Sequence, residues 1–195
     1  MTLRALTTDE YALIGGITAD SFFDDPINLW VFNNKAAMTL TFTALAKHVM
    51  LPRGFGHVSE DERSGTMWLP PSASHDLPIT ATIALAPRLL RAGGIKAVQR
   101  SLKIDASLAR IRPEEPHYYL FSIAVHPDHQ GRGEGKRLML EGLKAADKSN
   151  MPVYLESSKE SNIGFYQNFG FEVLAEHKVS EHSPSMWPMW RKPIA

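Results

Sequence analysis

The sequence predicts a mixed α/β fold: a sheet of about six to seven strands, mostly antiparallel, with one central parallel pair and flanking helices. Three observations carry this. Residues 117–125, HYYLFSIAV, are apolar or aromatic almost without a break, as a strand buried on both faces requires. Residues 133–147 carry apolar positions at helical spacing, and residues 153–156 form another buried strand after Pro152. Strand, glycine-bearing turn, helix and strand make a βαβ unit, whose crossover is right-handed and whose two strands run parallel.

The other elements follow in chain order. Residues 2–6 alternate weakly and suit a short first strand. Thr7, Thr8, Asp9 and Glu10 offer cap hydroxyls and first-turn acids for a helix over residues 9–22, which Asp24-Asp25-Pro26 breaks. Met38, Phe42, Leu45, Ala46 and Val49 place a second helix over 36–50, stopped by Leu51-Pro52-Arg53-Gly54. Residues 55–59 and 66–69 read as strands joined by a polar turn, and Pro70-Pro71 ends the second. Residues 78–112, rich in Leu, Ala and Ile, form one broken helix or two short ones, with Gly93-Gly94 as the break. A short helix over 162–169 stops at Gly170, and strands over 171–176 and 185–191 close the chain. The whole chain, residues 1–195, reads as a single domain with a helical insertion at about 78–112.

Composition narrows the function. Basic and acidic residues balance at 21 each, which argues against a nucleic-acid partner, because such binders carry a basic excess. There is no cysteine, so disulfides, thiolate catalysis and zinc–cysteine sites are excluded. The acids Asp9 and Glu10 near the start do not suit a signal peptide. No stretch approaches the ~20 apolar residues of a membrane helix. A cytoplasmic protein with no membrane or nucleic-acid partner, acting as a monomer or homodimer, is expected.

The chemistry concentrates in residues 130–136, QGRGEGK. A helix start leaves about four backbone N–H groups unpaired at the positive end of the helix dipole. Glycines remove the Cβ atoms that would hold an anion away, and Arg132, Lys136 and Arg137 add cations. Two nucleotide motifs fail here. The phosphate loop of nucleotide triphosphatases needs a glycine where Gln130 stands and a hydroxyl where Arg137 stands. The dinucleotide fingerprint needs a glycine where Lys136 or Leu138 stands.

The pattern that fits is Gln-x-x-Gly-x-Gly, present as Gln130-Gly131-Arg132-Gly133-Glu134-Gly135 after Ser122-Ile123-Ala124-Val125-His126-Pro127. Downstream stand Leu155-Glu156-Ser157, Asn162, Phe165-Tyr166 and Gly170-Phe171. Over about residues 117–176 the chain resembles the GNAT superfamily of N-acetyltransferases. Trp68-Leu69-Pro70-Pro71, Asp24-Asp25-Pro26 and Met186-Trp187 more weakly resemble its small-molecule branch that includes puromycin N-acetyltransferase.

The resemblance implies acetyl-CoA as co-substrate, no metal, and direct transfer of an acetyl group to a small-molecule primary amine through a ternary complex. It implies that amides of Gly131, Arg132, Gly133, Glu134, Gly135 and Lys136 hold the pyrophosphate, that Gln130 braces the turn or touches the cofactor, and that Ile123, Ala124 and Val125 pair with the pantetheine amides. It makes the Val125 N–H the oxyanion donor and Tyr166 the general acid toward the leaving thiolate. Asn162 would contact the cofactor; a helix N-cap is its competing role. Glu156, at the carboxyl end of a parallel strand, is a candidate base; an ion pair with Lys159 or Arg132 is its competing role. For the acceptor, Asp24, Asp25, Trp30, Trp68 and His117 are candidates together with the insertion, the aromatics having ordinary core packing as the alternative. Two further readings stay open at this stage: acetylation of a protein or peptide amine, and a non-catalytic acyl-CoA sensor.

Overall fold

The computed structural model describes residues 2–193. The chain runs β1 (Leu3–Ala5), α1 (Tyr11–Ser21), α2 (Pro26–Val31), α3 (Lys35–Leu45), a π turn over Ala46–Met50, α4 (Leu51–Arg53), β2 (Phe55–Ser59), β3 (Ser64–Leu69) and α5 (Ile79–Ile111). It continues with β4 (Tyr118–Val125), α6 (Glu134–Lys148), β5 (Val153–Ser157), α7 (Ile163–Gln167), β6 (Phe171–Val173), β7 (His177–Lys178) and β8 (Ser185–Arg191). No helix among the described residues is long and apolar enough to cross a membrane.

The strands form one mixed sheet in the order β1-β2-β3-β4-β5-β8-β6, with β7 beside β8. The only parallel pair among these strands is β4 with β5, as the βαβ pattern predicts, and every other pairing is antiparallel. The eighth strand is β7. It follows the expected run 171–176, which ends early at Val173, and the chain then returns to pair His177 with Met186.

Alternation along the strands sorts side chains between two layers. Trp68, Leu120, Val153 and Leu155 pack on one face against Met139, Leu143 and Ala146 of α6. Met67, Leu69, Tyr119 and Tyr154 point to the other face, against Ile14 of α1 and Val49 and Met50 of the π turn. The same alternation places Glu156 beside Tyr119 on that second face, where Tyr119 donates to its Oε2 at 2.8 Å. Beyond these residues α1, α2, α3 and α5 share a third cluster around Val31, Phe42 and Leu89.

Two local expectations are corrected. Asp24-Asp25-Pro26 does not only break α1; it starts α2. The Asp25 carboxylate caps the new helix by accepting from the Asn28 N–H at 3.0 Å, and Pro26 sits at the first helical position, where a missing N–H costs nothing. The stretch after Met50 continues for a further turn, α4, through the π turn that lies ahead of Pro52. The insertion is one helix from Ile79 to Ile111 interrupted at Gly94, whose φ of 74° leaves the helical region.

The tightest contact between layers is α6 on β3. A Cβ at Gly142 would come within 2.3 Å of the fully buried Trp68 indole. Replacing Gly142 with Ala is expected to lower the unfolding free energy by about 1–3 kcal/mol through overpacking, read from a urea titration. Gly16→Ala in α1, where an added Cβ meets nothing, serves as the control and is expected to be neutral or mildly stabilising.

Candidate active site

The site originates in a failure of strand pairing. β4 and β5 are paired only at Tyr118 with Val153 and Tyr119 with Tyr154. Beyond those residues β4 stays with β3 as far as Val125, while β5 stays with β8 as far as Ser157. A wedge opens between them. The His126 N–H donates to the Arg63 carbonyl at 2.8 Å. Successive residues of a strand turn their amides to opposite edges, so Val125 and Ile123 face the wedge. The Val125 carbonyl, turned the same way, accepts from Gln130 Nε2 at 3.2 Å. Gln130 thus braces the loop onto the strand end. Ala124 faces β3 instead, opposite Gly65, and its side chain is fully buried. Its expected place on the ligand edge is corrected accordingly.

The glycine loop follows. Gly131 and Gly133 adopt φ of 76° and 80°, which L side chains rarely adopt, and a Cβ on either would project into open space. Gly133 precedes the first turn of α6 without any side-chain cap. The amides of that turn are therefore free toward a cavity of about 450 Å³ that Val125, Gly133, Lys136, Asn162 and Tyr166 help to line. This cradle fits a diphosphate: it is concave, made of N–H groups at the positive end of a helix dipole, and open where side chains would intrude. Arg132 is exposed and off the lining. The buried Glu134 carboxylate lies 3.3 Å from His129 Nδ1, and both residues line the same cavity.

Asn162 ends a 3-10 turn and makes no capping bond to α7, so its amide is left facing the cavity. Tyr166 is buried and lines the same cavity. Burial, and then the nearby Asp25 carboxylate, push the Tyr166 phenol above its ordinary value. It stays protonated at any physiological pH and is a standing hydrogen-bond donor.

A second cavity of about 310 Å³ lies on the α5 side of the sheet. Its walls are apolar, from Val31, Phe42, Leu89 and Leu108, and one end is polar, with Tyr119, Glu156, Arg112 and His75. Phe22 borders both cavities, and Ser122 and Ser158 of the second adjoin Ile123 and Lys159 of the first, so the two are neighbours across the ends of β4 and β5. Glu156 Oε1 is buried without a hydrogen-bond partner. Burial holds the Glu156 carboxyl above the usual carboxylate range, with the Tyr119 hydrogen bond and Arg112 acting against it. His75 is pushed down to about 4 by burial, then by Arg112, and is neutral at pH 7. The expected rival role of Glu156 is not realised: Lys159 pairs with Asp24 at 2.6 Å.

The acceptor candidates divide. Asp25 is buried where the cavities approach, hydrogen-bonded to Asn28 and to Ser158, and lines the donor side; burial raises its carboxyl. Asp24 is exposed in the ion pair with Lys159. Trp68, Trp30 and His117 are corrected. Trp68 is sealed under α6 and stacked on Phe55. Trp30 lies under the Arg100 guanidinium, 4.8 Å from its ring centroid, and is not among the residues lining the cavity. His117 bonds the Glu115 carbonyl at 2.6 Å and packs on Tyr154 and Trp190. In each, apolar burial of a large ring outweighed any ligand role. The sequence reading missed Phe22, Tyr119 and Arg112. Their only signals were position, at a helix end, inside an apolar strand and at the end of α5.

Known proteins agree with this geometry. Residues 101–173 match the family model for the acetyltransferase (GNAT) domain. The fold is the GNAT fold, and the protein is an acetyl-CoA-dependent acetyltransferase. An uncharacterised N-acetyltransferase of Schizosaccharomyces pombe is 23% identical over 183 residues, covering 88% of this chain and 74% of the relative. Among solved structures, a histone acetyltransferase HPA2 and related acetyltransferase of Corynebacterium glutamicum has a TM-score of 0.74 at 20% identity, covering 100% of this chain and 97% of that one. The PaiA N-acetyltransferase of Thermoplasma acidophilum, solved with coenzyme A, has a TM-score of 0.56 at 12% identity, over 98% and 99% of the two chains. Both share the fold.

Gly133→Ala tests the cradle. The substitution strains a left-handed residue, by about 1–2 kcal/mol, and puts a methyl group where the anion would lie. The dissociation constant of coenzyme A, by calorimetry, is expected to rise at least about tenfold.

Proposed function

We propose that the protein transfers the acetyl group of acetyl-CoA directly to the primary amine of a small molecule, with both substrates bound at once. The observation that carries this reading is the placing of two neighbouring cavities about one strand wedge, an anion cradle on one side and a carboxylate-ended pocket on the other. The absence of cysteine favours direct attack over an acyl-thiol intermediate on the protein.

The Glu156 carboxylate takes a proton from the bound ammonium, and burial makes it a stronger base than a free carboxylate. The neutral nitrogen attacks the thioester carbon. The Val125 N–H, free on the wedge edge, stabilises the charge that develops on the carbonyl oxygen. As the nitrogen–carbon bond forms and the carbon–sulfur bond breaks, Tyr166 gives its proton to the sulfur and the second nitrogen proton passes to the Tyr166 oxygen, which restores the phenol. Its raised pKa favours a strong hydrogen bond to the thiolate over early release of the proton. The products are an N-acetyl amide and free coenzyme A, with one proton released by Glu156.

Shape supports a small acceptor over a protein tail. The helix α5 stands against α3, and residues of both line the pocket. A pocket near 310 Å³ is at the small end of ligand cavities, which run from about 300 to 1,000 Å³. Of the residues that carried the resemblance to the puromycin acetyltransferase branch, Met186 lines this pocket and Trp68 lies in the core.

Tyr166→Phe is expected to lower turnover about 100-fold while coenzyme A affinity, by calorimetry, stays within about twofold; unchanged turnover removes the acid role. Glu156→Gln gives a second, separable outcome. A raised carboxyl pKa means that kcat/KM climbs with pH as the carboxyl ionises. The glutamine variant is expected to lose at least about 100-fold in kcat/KM at neutral pH and to lose that acid limb. Because it no longer buries a charge, it should also melt higher than the parent at neutral pH. Saturating acetyl-CoA must raise the melting temperature of the parent, since a native-state ligand stabilises; no rise would overturn the donor.

A further inference from the structure

The polar end of the acceptor cavity holds two oppositely charged groups, each with a buried atom that makes no hydrogen bond in the protein. Arg112 closes α5, and its Nε is buried without a hydrogen-bond partner. Among the described residues no carboxylate lies within ion-pair distance of its guanidinium, which sits 5.3 Å from the centroid of the Tyr119 ring. The hydroxyl of that same ring donates to Glu156 Oε2 at 2.8 Å, while Glu156 Oε1 and the nearby Tyr154 hydroxyl are both buried without a well-formed hydrogen bond. One tyrosine therefore carries a free cation over its face and a half-satisfied carboxylate at its tip. Buried polar atoms left unpaired are rare and costly in the absence of a ligand. His75, whose ring centroid lies 4.7 Å from that of Tyr119, is neutral, so it adds no charge to the pair. Asp105 lines the same cavity but is exposed, and lies at its rim.

We propose that the acceptor is an α-amino acid with an apolar side chain, its ammonium on Glu156, its carboxylate on Arg112 and its side chain in the apolar sleeve formed by Ile27, Val31, Phe42, Leu89, Ile104 and Leu108. The proposal rests on the acetyltransferase reading above and deepens it. A zwitterion has no net charge, as has the Arg112–Glu156 pair, and it satisfies both orphaned groups together. A simple amine satisfies only Glu156 and leaves the Arg112 Nε buried without an acceptor. The amine and carboxylate of an α-amino acid are two bonds apart, which suits two groups that share one aromatic ring. Arginine is also the side chain best shaped to take a carboxylate through two parallel hydrogen bonds.

The test compares acceptors that differ only in the carboxylate: L-leucine against 3-methylbutylamine, and L-phenylalanine against 2-phenylethylamine, with thiol release from acetyl-CoA as the readout. In the parent protein the amino acids should exceed the amines at least about tenfold in kcat/KM, as expected for a charge-assisted hydrogen-bonded pair. Arg112→Gln alters Glu156 for every acceptor, so the preference is read as a ratio: kcat/KM for the amino acids should fall at least about tenfold further than for the amines. Arg112→Lys, which keeps the charge but not the fork, should restore part of it. The melting-temperature rise with acetyl-CoA reports that each variant is folded and binds donor. Amines acetylated as well as the amino acids by the parent, or an equal loss for both in Arg112→Gln, would overturn the proposal and leave the acetyltransferase reading standing. No thiol release with any amine while acetyl-CoA binds would instead strike the acetyltransferase reading itself.

Discussion

Everything at the site depends on the early end of one strand pairing. β4 and β5 share a register for two residue pairs and then part. Parallel strands in a closed sheet satisfy each other's amides to their ends. Here β5 is claimed by β8 from Val153 to Ser157, and β4 by β3 through Val125. The edge of β4 that faces away from β3 is left with amides that only a ligand or water can satisfy. The wedge would collapse if side chains filled it. Phe22, Asp25 and Tyr166 stand around it instead, each held by its own partners.

The second determinant is what the sheet's alternation does with charge. Val153 and Leu155 turn to α6, so Tyr154 and Glu156 must turn to the α5 side. Glu156 is thus carried into an apolar layer by the same periodicity that builds the core. Its carboxyl is strained electrostatically, with one oxygen on Tyr119 and the other on nothing. Such groups lower stability, and a chain that retains one at a cavity end marks where chemistry competes with folding.

The parallel pair, the crossover helix and the anion loop were legible in the sequence because they rest on local rules: an unbroken apolar strand, helical spacing, and glycines at a helix start. Two of the three glycines sharpen that rule. Gly131 and Gly133 are required by a left-handed backbone, whereas Gly135 has an ordinary φ and lies 3.5 Å, from the position of its missing Cβ, to Phe165. Glu156 and Tyr166 were legible only through a resemblance, since nothing local separates a ligand-facing carboxylate from a salt-bridged one. The acceptor side was read poorly. Trp30, Trp68 and His117 looked available because large rings often line sites, yet apolar area drew each into packing. Arg112 was invisible, one base among several in and after a helix that holds a single acid, Asp105. Its role arises from where α5 ends relative to Tyr119, a distance that no local pattern encodes. The start of α2 was missed for the opposite reason: Asp25-Pro26 is a terminator for one helix and an initiator for the next.

The bond from Gln130 to the Val125 carbonyl has a mechanical meaning. It ties the loop that would grip one end of a long, flexible donor to the strand end beside which the donor's other end must stop. Loop and strand then form a single gauge, and a molecule seated at the phosphate end is measured off against the backbone to the reacting atom. Errors in position cannot accumulate along the donor's many rotatable bonds, because the protein fixes both ends on the same short piece of chain.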